Sequence, residues 1–424
     1  MAEMQKDKPR ELSLKANVLW NSIGSMFYLG CQWLITVLVV RLSSGFDAAG
    51  LLSLAMSVVG IFGTFANYKM GTYQISDIHR ENTLAEYLAF RCLTLGLSFA
   101  ACIAYALITC PPHAIITVAL FFIYKGVGLL IDVLHGTDQQ HRRMDYIGKS
   151  FMLQGVASIA AFAVVFYPTQ DLNLAIVAMT MAVALVFLLF DMRKTRQFEP
   201  IALHLTRKKA LFFLKTSLPA VIAAVAASAI FTIPKQYLSM VGGDAALGIY
   251  SSVAAPALIV QMGATYLYGP LLDKHFFDGK MSDFVKLLLR TVLSIIAVTV
   301  VCWVVLLFIG EPVLVLLFGQ SIAEHVYLLY PVLIATSATA FLWFFGDLLI
   351  ALRDFKANFI GNVVALIAVI PLSVACVNIW DMNGVSFAGI GACVAGVAYL
   401  TFALVSATRK QSAREKKQEA PREQ

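Results

Sequence analysis

A lysine, Lys125, stands at the centre of the apolar run 114–134, and an aspartate, Asp132, follows it seven residues later. At 3.6 residues per turn, a spacing of seven brings two side chains to the same face of a helix. Lys125 is roughly eleven residues from either end of its run, too deep for its ammonium to reach a headgroup layer easily. A charge at that depth faces a protein interior or a wet cavity by default, so this segment reads as one wall of a transport pathway. The competing reading is a lysine neutralised by burial or paired within a helical bundle.

Similar residues recur along the chain. Lys235 lies in the apolar stretch Ile233-Pro234-Lys235-Gln236, where Pro234 removes a backbone donor and can free a carbonyl to line a cavity. Its alternative is to snorkel outward, because it lies nearer the outer end of its span. Asp132 and Asp347 occupy matching places near the cytoplasmic ends of two spans, and Arg91 and Arg290 open two others on the same side. These four are candidate coupling or gate pairs, able to carry a proton or to pair structurally. Lys69, Arg80, Arg142, Arg143 and Lys274 lie at the cytoplasmic mouth, where they can draw in an anionic headgroup or simply set topology. Catalytic and metal sites find no support: the longest outer loop offers only Glu311, Glu324 and His325. The seven cysteines show no CxxC or Cys/His spacing.

These residues must be positioned by membrane-spanning helices. The chain has 424 residues, 59% hydrophobic and 13% charged, which is bilayer composition rather than soluble composition. Its net charge of +7 is spread over short gaps between apolar runs, so a nucleic-acid partner is not expected. Runs of about 20 apolar residues begin near Ala16, Ala48, Glu86, Ala114, Ser150, Asp171, Thr216, Ala245, Phe284, Glu324, Ala357 and Val385, which predicts about twelve transmembrane helices. The close pair around 167–173 leaves open a single re-entrant element. Lys and Arg alternate cleanly between loops on one side and almost none on the other, with Arg41 alone on the poor side. The positive-inside rule then puts both termini in the cytoplasm, with no cleaved signal peptide expected.

The chain also matches itself at an offset near two hundred residues. Asp47-Ala-Ala-Gly50 recurs as Asp244-Ala-Ala-Leu-Gly248, Arg91 as Arg290, and Asp132 with Ile147-Gly148 as Asp347 with Ile360-Gly361. Parallel repeats of six helices follow. The expected organisation is an N-terminal lobe over 1–195, a basic linker over 196–215 with an amphipathic helix near 205–214, a C-terminal lobe over 216–408, and a disordered basic tail over 409–424.

The opening Asn17-Val-Leu-Trp20-Asn21-Ser-Ile-Gly24, Gln32, the Asp-Ala-Ala-Gly-Leu run at 47–51, and the pattern Asp132-x3-Gly136-x2-Gln139-Gln140-x3-Met144-x2-Ile147-Gly148 resemble the lipid-linked oligosaccharide (O-antigen) flippase family of polysaccharide biosynthesis. That family belongs to the multidrug/oligosaccharidyl-lipid/polysaccharide exporter superfamily. After the first span Leu42-Ser-Ser-Gly45-Phe46 departs from the family's usual Leu-Gly and Phe-Gly. The resemblance implies an all-α integral membrane protein of two pseudo-repeated six-helix bundles around a central cavity. It implies a non-enzymatic flippase without a cofactor, with H+ or Na+ as candidate coupling ion. By alternating access it would carry an undecaprenyl-pyrophosphate-linked oligosaccharide across the bacterial inner membrane, with membrane lipid and polysaccharide polymerase or chain-length machinery as partners. Lys125 and Lys235 would then line a cationic cavity. Tyr124, Tyr266, Tyr268, Trp343 and Phe344 are sugar-stacking candidates or packing residues. The rivals are a multidrug organic-cation antiporter of the same superfamily, a polytopic glycan polymerase or ligase, and an uncoupled scramblase.

Overall fold

The computed structural model describes residues 11–77, 81–257, 281–351 and 354–419, and it is helical throughout. The chain divides into two compact units, Met1–Ser228 with Gly243–Gly248 and Ala229–Gly242 with Ile249–Gln424. The first contains α1 (Leu14–Leu42), α2 (Asp47–Asn67), the short α3 (Met70–Ser76), α4 (Leu84–Thr109), α5 (Ala114–Gln140), α6 (Met144–Thr169) and α7 (Leu172–Val186). A π-helical turn, Phe187–Asp191, leads from α7 into α8 (Met192–Thr195). Then come α9 (Arg207–Ala254), α10 (Met281–Phe318), a 3-10 segment (Gln320–Leu328), α11 (Leu329–Ala351), α12 (Phe355–Trp380) and α13 (Met382–Glu419).

Among the described residues, eleven helices are long and apolar enough to cross a membrane. The 48-residue α9 merges two helices across Gly243, whose φ of 80° and ψ of 174° no helix contains. The predicted eighth span, from near Ala245, begins after that break; the helix ends at Ala254, and residues 258–280 lie outside the described residues. Large apolar side chains point outward, including Ile108 at 82% exposure, Phe308 at 78% and Val164 at 72%. Such a surface suits acyl chains and not water, so the chain is a multi-pass membrane protein.

Helix starts follow local chemistry. Ser13 accepts from the Ala16 N–H, Thr83 and Glu86 form a capping box at α4, and Asp171 accepts from Asn173 and Leu174 at α7. Gln170, left-handed at φ 54°, ends α6 before Asp171 starts α7, so the region around 167–173 is two helices and not one re-entrant element.

The glycines of the sequence patterns mark close helix approaches. A Cβ on Gly24 would overlap the Gly148 backbone, and one on Gly148 would overlap the Trp20 carbonyl, so the opening pattern on α1 and the Ile147-Gly148 pair on α6 pack directly together. Small residues at such crossings let backbones approach and maximise contact where lipid offers no hydrophobic drive. Asn17 tightens the same junction, accepting from the Met144 N–H at 2.8 Å and donating to the Leu12 carbonyl at 3.1 Å. The two copies of the Asp-Ala-Ala motif also meet within the first unit: a Cβ on Gly50 would overlap the Asp244 carbonyl, and one on Gly248 the Phe46 carbonyl.

Three expectations are corrected. Residues 207–214 are not a separate interfacial helix but the start of α9, held there by Phe213, which is fully buried among Tyr73, Tyr87 and Phe90. The longest outer loop, expected to carry Glu311, Glu324 and His325, is largely helical: α10 runs through Gly310 and Pro312 to Phe318, the 3-10 segment follows from Gln320, and Gly310 leaves room for the Leu329 side chain. α13 extends to Glu419 across residues expected to be disordered, since Ala, Lys, Glu and Gln also have high helix propensity.

The turn between α3 and α4 rests on Asp77, which accepts from the Glu81 and Asn82 N–H groups (2.9 and 3.0 Å) and from the Tyr87 hydroxyl (2.8 Å). Burial pushes the Asp77 carboxyl up, and these donors outweigh it and hold the group below its usual value. Its stabilisation is therefore present above the unfolded pKa, near 3.9, and is lost as pH falls through the depressed folded value. Tyr87→Phe is expected to cost about 1 kcal/mol at neutral pH, with the difference from wild type narrowing below about pH 4. Denaturation midpoints across that range check it.

Candidate functional site

α5 is the central helix of the first unit, packed by α2, α4 and α7. Its Phe121, Phe122, Tyr124, Leu129, Ile131, Val133 and Leu134 are buried, whereas Lys125 is accessible and Gly128 and Asp132 are partly so. Positions 125, 128 and 132 are one and two turns apart and form an accessible stripe along one face of the helix. Lys125 projects toward α2, its Cγ 3.9 Å from where a Gly63 Cβ would stand. Asp132 projects toward α3, its Oδ2 3.3 Å from a Cβ on Gly71. The two glycines thus leave room for the two charged side chains.

Arg91 of α4 completes the group and explains the break between α2 and α3. It is 1% exposed, and its Nη1 donates to the Ala66 carbonyl (3.0 Å) and Asn67 Oδ1 (3.1 Å), in the last turn of α2. There the chain turns through Tyr68 and Lys69, both left-handed at φ 53° and 55°. A guanidinium on those freed carbonyls satisfies them and opposes the negative end of the helix dipole. Its Nη2 stands 3.5 Å from Asp132 Oδ2, a loose pair in which the aspartate side chain stays 44% exposed. Lys125 makes no ion pair among the described residues.

The polar run after Asp132 docks α3. Gln74 Nε2 donates to the Val133 carbonyl (3.0 Å) and Thr137 Oγ1 (3.1 Å), and Gln140 Nε2 donates to the Gln74 carbonyl at 2.6 Å. Gly136 is needed there because a Cβ would press on the Gln74 amide. Gln74, Gly63 and Gly71 escape a reading of the sequence, because nothing local marks them as partners of a segment about sixty residues away. Tyr124 is buried and bonded to Gln32 (3.0 Å) and Ser158 (3.2 Å), and Phe344 is 1% exposed, so both are packing residues.

Lys235 belongs to the second unit and is half-buried among the buried Thr232, Pro234 and Gln236. Pro234 leaves α9 helical, and the interruption falls at Gly243 instead. Two cross-helix bonds flank that interruption: Asn378 Nδ2 donates to the Tyr237 hydroxyl at 3.0 Å, and the Tyr250 and Ser386 hydroxyls pair at 3.0 Å. Asp347 on α11 is half-buried, as Asp132 is, whereas Arg290 on α10 is exposed where Arg91 is buried. Of the mouth residues, Lys69 is exposed, Arg142 pairs with Glu11 (3.4 Å), and Arg143 forms a bidentate pair with Asp145 (2.8 and 3.0 Å) while covering the Tyr146 ring. Arg80 and Lys274, with Tyr266 and Tyr268, lie outside the described residues.

No family model matches the chain. A capsular polysaccharide biosynthesis protein, CapF of Staphylococcus aureus, is 23% identical over 386 residues, 88% of this chain and 94% of the relative. The lipid II flippase MurJ, in an inward closed conformation, matches with a TM-score of 0.69 at 13% identity, over 93% of this chain and 89% of MurJ. An inward-facing multidrug resistance MATE family transporter of the MOP superfamily matches with a TM-score of 0.62 at 11% identity, over 94% of this chain and 99% of that one. The chain therefore shares the multi-span helical fold of these two proteins.

Proposed function

We propose that this protein is a bacterial inner-membrane flippase that moves a lipid-linked oligosaccharide from the cytoplasmic to the outer leaflet for surface polysaccharide synthesis. The observation that carries this reading is Lys125: an accessible side chain without an ion-pair partner among the described residues, at the middle of a membrane-length helix that packs against three others. A cation at membrane depth without an ion-pair partner is costly to keep and suits a ligand that brings its own negative charge, such as a pyrophosphate head. The polysaccharide role carried in the name of CapF supports the same substrate class. On this reading the loops rich in Lys and Arg, and both termini, face the cytoplasm. Lys235 is the corresponding cation of the second unit, and polysaccharide polymerase or chain-length machinery receives the product.

Export of organic cations is the second reading. It is favoured by the likeness to multidrug transporters and by Asp132, a carboxylate half open to solvent. Deleting the gene separates the two. The flippase reading expects undecaprenyl-linked glycan to accumulate on the inner leaflet while surface polysaccharide is lost. Normal surface glycan with raised sensitivity to cationic drugs would instead establish the exporter.

A further inference from the structure

A second titratable cluster lies one to two turns beyond Asp132, on the buried side of α5. His135 and Asp138, a turn apart, are 5% and 1% exposed; Asp191 and Thr195, from the π turn and α8, are 1% and 0% exposed. His135 Nε2 stands 3.3 Å from Asp191 Oδ1, and Thr195 Oγ1 donates to Asp138 Oδ1 at 3.1 Å. The remaining carboxyl oxygens, Asp138 Oδ2 and Asp191 Oδ2, are both buried without a hydrogen-bond partner. The Phe151 ring closes one side, edge-on to the imidazole at 5.0 Å.

The charges do not balance. Two carboxylates face one imidazole, and Asp132 on α5 and Asp145 on α6 add further negative potential. The nearby cations are engaged elsewhere: Arg143 and Lys149 both bind Asp145, and Lys194 lies over the Tyr146 ring at 5.2 Å. Even with the imidazole cationic, one negative charge is left, and each carboxylate keeps one buried oxygen that no donor reaches. Buried unpaired charge is far costlier than a buried hydroxyl, so a cation must enter. Among the described residues, no group of three or more His, Cys, Asp and Glu side chains is arranged to hold a metal ion. The π turn is the device that brings Asp191 here: its inserted residue turns the end of the helix relative to an unbroken α-helix, and such turns recur at functional sites.

We propose that His135, Asp138 and Asp191 form a buried proton-binding site that holds one proton on a carboxyl oxygen of Asp138 or Asp191 beyond any carried by the imidazole. The proton comes from and returns to water, and its presence sets the charge at the foot of the helix that carries Lys125. This inference is independent of the substrate.

Infrared spectroscopy of the purified full-length protein tests it, in sodium-free buffer at neutral pH. The wild-type protein is expected to show a protonated-carboxyl stretch that shifts in D2O, and Asp138→Asn or Asp191→Asn, checked for folding by gel filtration, is expected to remove it. Thr195→Val, which deletes only the donor to Asp138, is expected to shift the band and serves where the other variants do not fold. A wild-type spectrum without the band, a band unchanged in all three variants, or a band abolished by added sodium chloride would each overturn the proposal, the last in favour of a bound sodium ion.

Discussion

Lys125→Ala is expected to lower surface polysaccharide by about tenfold or more while leaving the amount of folded protein in the membrane unchanged. A factor of ten corresponds to about 1.4 kcal/mol, less than a charge-assisted hydrogen bond to phosphate commonly contributes. Folding should be spared because the ammonium has no ion-pair partner to orphan among the described residues, and its stem faces the space left by Gly63. Lys125→Arg keeps the charge and should retain part of the activity, although a planar guanidinium presents its donors differently. Surface glycan can be read by immunoblot and folded protein by gel filtration of a fluorescent fusion. Full export by Lys125→Ala would defeat the assignment of this residue to substrate.

Gly148→Leu is expected to remove folded protein almost completely. Overpacking a core costs about 1–3 kcal/mol where neighbouring side chains can yield. At Gly148 the obstacle is the Trp20 carbonyl, and yielding means separating α1 from α6 along the crossing formed by Gly24 and Gly148. Gly96 provides the control: it is exposed, no atom lies within 4 Å of its built Cβ, and Gly96→Leu should fold normally. Equal yields of the two variants would show that the α1–α6 contact is looser than described.

The two predictions rest on features that differ in how far the sequence discloses them. Lys125 and Asp132 announce themselves, because charge within an apolar run is conspicuous and a spacing of seven needs only helical periodicity to become a shared face. Arg91 is visible in the same way, and its pairing with Asp132 was among the roles open to it. Its larger task, capping the carbonyls at the end of α2, was hidden, because nothing around residues 66–69 departs from the pattern of a continuing span. The motif glycines could be picked out as a pattern, but not their reason: Gly24 and Gly148 are 124 residues apart and become one contact only when α1 lies against α6. His135 and Asp138 sit within the polar run that ends α5, whereas Asp191 joins them only through a π turn that composition does not encode.

Length and number of apolar runs, helix caps and the alternation of basic loops are determined by residues close together in the chain, because membrane insertion and helix initiation are local events. The sequence by itself therefore established a helical membrane protein with nearly all its spans in place, and singled out the deep lysine on α5. Which helices touch, where Asp77, Arg91 and Asp191 find their partners, and that α9 starts at Arg207 rather than after a separate linker helix were decided only by the tertiary structure. Those outcomes depend on whether distant backbones can approach and on which buried polar atoms are left to satisfy, and neither quantity exists until the helices have packed.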